Sequence, residues 1–156
     1  MSDKLTHIND KGEAHMVDVS DREETIRTAT AAGKVLLSKE VLALIADGTA
    51  PKGDVLATAR IAGILGAKKT PELIPLCHPL AISSISVDLT VEEDGVASVA
   101  KVKIADRTGV EMEALTAVSV AGLTIIDMIK ALDPFATITN VQVIEKDGGR
   151  NGLWQR

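Results

Sequence analysis

The stretch TGVEMEALTAVSVAGLTIIDMIKAL, Thr108 to Leu132, sets a carboxylate and an ammonium, Asp127 and Lys130, directly after Ala114–Ile126, which carries no charge. Residues three apart on a helix are neighbours, so the two side chains can touch. Two chemistries are open to them. In water they form a solvated ion pair worth roughly a few tenths of a kcal/mol. Under cover they become an acid and a base whose proton affinities depend on their surroundings, which is what proton transfer to a bound substrate requires.

Other residues of the right type stand elsewhere. LIPLCHPL holds His78 in a stiff loop between Pro75 and Pro79, presenting an imidazole that either orients a ligand or bonds within the fold. Its neighbour Cys77 does not make a metal site with it: one Cys and three His lack ligand spacing, which argues against a zinc hydrolase. Adjacent residues also rarely aim their side chains at each other, so a Cys–His nucleophilic pair is disfavoured. PKGD places Lys52 just before a helix that Asp54 would cap, and a lysine at a helix N-terminus suits a phosphate. Lys146 and Arg150 flank DGG; the glycines let backbone and cations close over a polyphosphate, or else the segment is a frayed basic tail. No Walker loop or GxGxxG fingerprint occurs, so any nucleotide is held by other means.

These residues need elements to hold them. Thr108 and Glu111 have the spacing of a capping box, which marks the start of the helix. At about 100° per residue, Val118, Ala121, Gly122, Ile125, Ile129 and Leu132 form its core stripe. Glu113, Thr116, Val120, Leu123 and Thr124 share the face of Asp127, with Lys130 to one side. That face lacks the long charged side chains of a solvated surface until its last turn, so something is expected to cover it. Upstream, residues 25–37 read as a strand, SKEVLALIADG as a short helix capped by Ser38, and VLATARIAGILGAKK as a second helix closed by Thr70-Pro71. ISSISVDLTVEE and VASVAKVKIA make a hairpin across EEDG, and ATITNVQVIEK supplies a last strand. The order β, α(α), β, β, α, β predicts an α+β fold of ferredoxin-like, split βαβ type: an antiparallel sheet packed against helices.

The bulk numbers agree. A chain of 156 residues fits a single domain, 1–156, with residues 1–24 as an N-terminal arm and 147–156 as a Gly-rich tail. One Phe, one Trp and no Tyr leave the core to Ala, Val, Leu and Ile, and so much small apolar residue suggests packing against a further subunit. A formal charge of -5, with no aromatics among the basic residues, argues against nucleic acid. The polar start MSDKLTHINDKGE is unlike a signal peptide, no uncharged run reaches the ~18 residues of a membrane span, and the single Cys77 suits a reducing compartment. A cytoplasmic protein is the expectation, although Lys52, Arg60, Lys68, Lys69, Lys130, Lys146 and Arg150 could still converge on a small anion.

Taken together, LTHIND-GEAHMVDVS, KGDVLATARIAGI, LIPLCHPL, TGVEMEALTAVSVAGLTIIDMIKA and EKDGGRNG resemble, in order and spacing, the cyclic pyranopterin monophosphate synthases of molybdenum cofactor biosynthesis. The resemblance runs through nearly the whole chain. Ile126 and Ile129 depart from the Tyr and Cys of the family pattern, and DGGR from its SGGK. The resemblance implies a homohexamer, a trimer of dimers with active sites between subunits, so that a neighbouring subunit would cover the uncharged face. It implies a lyase that converts 3′,8-cyclo-7,8-dihydro-GTP, made by a partner radical S-adenosylmethionine GTP 3′,8-cyclase, to cyclic pyranopterin monophosphate and pyrophosphate. Asp127 and Lys130 match the catalytic aspartate and lysine, with Lys52 a further active-site lysine. Leu76, Cys77, His78, Met112 and Glu113 match substrate-binding positions, as does Lys146, and Glu111 and Arg27 join them. No cofactor is called for, Mg²⁺ being the ion a triphosphate would bring. The principal rival is a non-catalytic oligomeric module that binds an anion or nucleotide.

Overall fold

The computed structural model describes residues 7–156, so the first six residues of the expected arm lie outside the described residues. Four long strands form the sheet: β1 (Thr25–Leu36), β2 (Ile82–Val91), β3 (Gly95–Asp106) and β4 (Thr137–Asp147). With β5 (Trp154–Gln155) at the edge, the order is β2-β3-β1-β4-β5 and every pairing is antiparallel. This is the ferredoxin-like arrangement the sequence predicts, with one short strand added by a tail that is paired to β4 instead of frayed.

Alternation along β1 and β3 decides which face is covered. Ala29, Ala31 and Val35 of β1 and Val96, Ala100, Val102 and Ile104 of β3 are buried beneath the helices, whereas Lys101 and Lys103 face outward. The helical layer consists of α1 (Lys39–Ala46), α2 (Val55–Lys68), α3 (Thr70–Leu73) and α4 (Glu111–Ile129). Ser38 accepts the Val41 amide at the start of α1, and Asp54 accepts the Ala57 amide at the start of α2, as their side chains predict. Thr70-Pro71 ends α2 but opens the single turn α3, which tolerates proline near its start because that N–H has no helical partner.

The scarcity of large side chains has its use between α2 and α4. A Cβ on Gly63 would lie 2.9 Å from the Ala117 carbonyl oxygen, and one on Gly66 2.7 Å from Val120, so the two helices meet at a seam that only small residues permit. The helices run antiparallel: Lys52, just before α2, reaches Asp127 near the end of α4, while Cys77, beyond α3, borders the same cavity as Met112 and Glu113 at its start.

Two expectations for α4 are corrected. Val110 precedes the helix without a side-chain cap, and no Thr108–Glu111 capping box forms, because the helix starts two residues later than that box requires and Glu111, its first residue, pairs with Lys146 instead. Leu132 leaves the core stripe and is 45% exposed, since the helix has ended at Ile129. The uncharged face is covered in part by the chain's own α2: Glu113 and Thr116 are buried, and Val120 packs on Gly66. Its threonines need no outside partner, for Thr116 donates to the Met112 carbonyl at 2.7 Å and Thr124 to that of Val120 at 2.8 Å. By mean hydropathy, 1.6 over its best window, α4 is long and apolar enough to cross a membrane, although Glu113 and Asp127 interrupt it and its uncharged run stays short of a span, as the sequence predicts. Half of that window is buried, as befits the central helix of a packed layer.

Candidate active site

The expected site residues fall into two groups, one at each end of α4. At its C-terminal end the Lys130 ammonium donates to Asp127 Oδ1 at 2.6 Å, and Lys52 Nζ lies 3.4 Å from Oδ2 while donating to the Asp127 backbone carbonyl at 2.8 Å. Lys52 thereby satisfies a carbonyl that the helix terminus leaves unpaired. The hydrogen bond and charge of Lys130, then the charge of Lys52, hold the Asp127 carboxyl below the usual carboxylate range. All three side chains are more than half exposed: 60% for Asp127, 61% for Lys130 and 52% for Lys52. Within one chain the pair is therefore open to water, and the cover expected over it is not supplied by α2.

At the N-terminal end of α4 two cavities adjoin. The smaller, of about 330 Å³, is lined by Leu76, Cys77 and His78 of the loop after α3, by Glu111, Met112 and Glu113, and by His7, Val17 and Val19 of the arm. Burial pushes the Glu113 carboxyl above its ordinary range, and burial together with the Glu113 charge pushes the Cys77 thiol up. His78 Nε2 lies 2.8 Å from the Val17 carbonyl oxygen, so as the N–H tautomer it donates there and leaves Nδ1 unengaged by that bond. The larger cavity, of about 830 Å³, takes Arg27, Glu111, Lys146, Arg150 and the glycines of the tail. Glu111 and Lys146 pair at 3.0 Å, and Arg27 Nε donates to the Asp106 carbonyl at 3.2 Å. Gly149 sits so close to the Arg27 guanidinium that a Cβ there would be 2.6 Å from a terminal nitrogen; positive φ at Gly148 and Gly149 turns the tail over that arginine.

All eleven expected residues are thus accounted for, but they do not meet in one place. Asp127 lies sixteen residues beyond Glu111 on one helix, roughly 24 Å at 1.5 Å per residue. Nor do all the basic groups converge: Arg60 donates to the Val87 carbonyl and Lys69 pairs with Glu72, and neither lines a cavity. Sequence reasoning passed over Val17 and Arg22, which the arm brings to the cavities. Among the described residues the arm has no strand or helix of its own to announce them.

A split βαβ sheet whose helix ends gather carboxylates, ammonium groups and a polar cavity fits an enzyme that acts on a small molecule. The particular family is established by comparison: residues 16–149 match the MoaC family, and the chain belongs to it. It is 61% identical over 154 residues to a protein of Streptomyces avermitilis named cyclic pyranopterin monophosphate synthase, covering 99% of this chain and 91% of that one. A protein of the same name from a Nocardioides species is 57% identical over 156 residues, with 98% and 96% of the two chains covered. A Mycobacterium tuberculosis protein named cyclic pyranopterin monophosphate synthase 2 is 56% identical over 155 residues, covering 99% and 93%. The family expected from the residues is borne out.

Proposed function

We propose that this chain converts 3′,8-cyclo-7,8-dihydro-GTP to cyclic pyranopterin monophosphate and pyrophosphate, in the cytoplasm, as a step of molybdenum cofactor biosynthesis. A radical S-adenosylmethionine GTP 3′,8-cyclase is its functional partner as the source of substrate. The observation that carries the reading is the two-ended distribution of the family-matched residues along α4: proton-transfer groups at one end, and a nucleotide-sized pair of cavities with cations at the other.

The chemistry asks for both ends. Remaking a guanine-derived ring system as a pterin opens a carbon bonded to nitrogen and moves protons, work for the Asp127 carboxylate and the Lys130 ammonium. Closing the cyclic phosphate joins a sugar hydroxyl oxygen to the α-phosphorus. The bond from that phosphorus to the pyrophosphate oxygen breaks, the electron pair leaves with pyrophosphate, and the hydroxyl proton passes to a base. Lysines near the phosphates absorb the charge of the leaving group. In this reading Leu76, Cys77, His78, Met112 and Glu113 hold the guanine-derived end, Arg27, Glu111 and Lys146 belong to the phosphate end, and Lys52 bridges Asp127 to the substrate. Mg²⁺ would arrive with the triphosphate.

One chain cannot bring both ends to one substrate, so a second chain supplies the missing end. This is the role of the proposed homohexamer, a trimer of dimers. Ile61 and Leu65 on α2 and Leu123 on α4 are each more than half exposed, apolar surface that a neighbour would bury. Pyrophosphate release from the cyclic GTP derivative tests the activity directly. Tight binding of that compound without release would support the non-catalytic module instead.

A further inference from the structure

The arm before β1 lies along the body with His15, Val17 and Val19 turned inward and their neighbours outward. It is tied down by the His78–Val17 hydrogen bond and closes in a turn where the Arg22 amide donates to the Val19 carbonyl at 3.0 Å. That turn delivers the half-buried Arg22 to a particular place. Arg22, Gly109 and Glu111 are the residues common to the linings of both cavities. Gly109 has no side chain to offer, and Glu111 is committed to Lys146. Arg22 is therefore the cation at the passage between the two. Among the described residues it makes no ion pair, unlike Arg107 with Glu24 or Lys146 with Glu111.

We infer that Arg22 binds the α-phosphate of the substrate, the phosphate that joins the nucleoside-derived half in the smaller cavity to the β- and γ-phosphates in the larger. This rests on the proposed function for its choice of ligand. A guanidinium presents paired donors that match phosphate oxygens, and a partly desolvated cation without a carboxylate gains most from an incoming anion. Arg27, Lys146 and Arg150, which line the larger cavity alone, are left for the pyrophosphate portion. His78 then has a second task, as a positioning residue: by fixing the Val17 carbonyl it holds the arm that carries Arg22.

The test is equilibrium binding of GMP and GTP to the assembled protein. GMP carries the α-phosphate alone, so Arg22→Gln is expected to weaken both nucleotides by about tenfold or more, the worth of a charge-assisted hydrogen bond, with Arg22→Lys recovering part. Arg150→Gln is expected to weaken GTP and spare GMP. An unchanged thermal midpoint in Arg22→Gln shows that the fold is intact. Unaltered binding of both nucleotides by Arg22→Gln overturns the inference, and loss confined to GTP overturns the assignment to the α-phosphate. Wild-type protein that binds neither nucleotide overturns it as well. The functional reading fails separately, on absent turnover of the cyclic GTP derivative.

Discussion

Asp127 and Glu113 are carboxylates of one helix in opposite situations, and they should answer substitution in opposite ways. Asp127 is exposed and flanked by two ammonium groups, so its folded form favours ionisation. Whatever the pair adds to stability is present above the ordinary Asp pKa and is lost as pH falls through the lowered folded value; at an exposed site it is screened. Asp127→Asn is therefore expected to leave the thermal midpoint essentially unchanged while turnover falls about 10²–10⁴-fold, the usual worth of a general acid or base. Unchanged turnover would remove this residue from the mechanism while leaving the family intact. Glu113 is 3% exposed, and burial favours its protonated form. Its ionisation therefore costs the fold progressively as pH rises from the ordinary Glu value through the raised folded one, with a constant penalty beyond. Glu113→Gln should melt higher than wild type at neutral pH, and the advantage should vanish below the ordinary Glu pKa. Melting curves across that range measure it, and a difference independent of pH would contradict burial as the cause.

The pairing of α2 with α4 does more than bury surface: their antiparallel register sets Lys52 against Asp127 at one end and the Cys77–His78 loop against Glu113 at the other. Gly63→Ala would press a methyl group against the Ala117 carbonyl, a backbone atom that cannot step aside. Overpacking costs about 1–3 kcal/mol, and better helix propensity returns roughly 1 kcal/mol. A net loss of about 1 kcal/mol in urea unfolding is expected, with lower turnover because both ends of the helix pair move. Much of this element scale was legible in the sequence: the caps Ser38 and Asp54, the alternation of β2 and β3, and the stripe from Val118 to Ile129 are local patterns that act locally. What escaped was decided by distant partners. Thr108 and Glu111 have capping-box spacing, but the helix starts only at Glu111, whose carboxylate pairs with Lys146, thirty-five residues along on β4. Leu132 keeps the helical period after the helix has stopped, and β5 pairs through only two residues, too short to leave an alternating signal. The site was legible as residue types and families of position, whereas its division between two ends of α4, and the part of Arg22, depend on how the arm and helices lie.

That division makes a claim about the whole molecule. If one substrate must touch Asp127 of one chain and His78 of another, then each site in the oligomer is built from two chains, and damage to one end does not damage the other. Asp127→Asn and His78→Ala homo-oligomers are each expected to be nearly inactive. Subunits of the two variants, dissociated, mixed in equal amounts and reassembled, form sites at random. About a quarter of those sites pair an intact Asp127 end with an intact His78 end, so about a quarter of wild-type activity should return. Exposed Ile61, Leu65 and Leu123 provide the surface through which such exchange would run, and native mass of the mixture reports whether it has occurred. Mixed oligomers that form yet stay inactive would mean that each site draws on a single chain. The roughly 24 Å between the ends of α4 would then have to be closed by a rearrangement of the subunit, and Asp127 and His78 could not act on the same bound molecule in the fold described above.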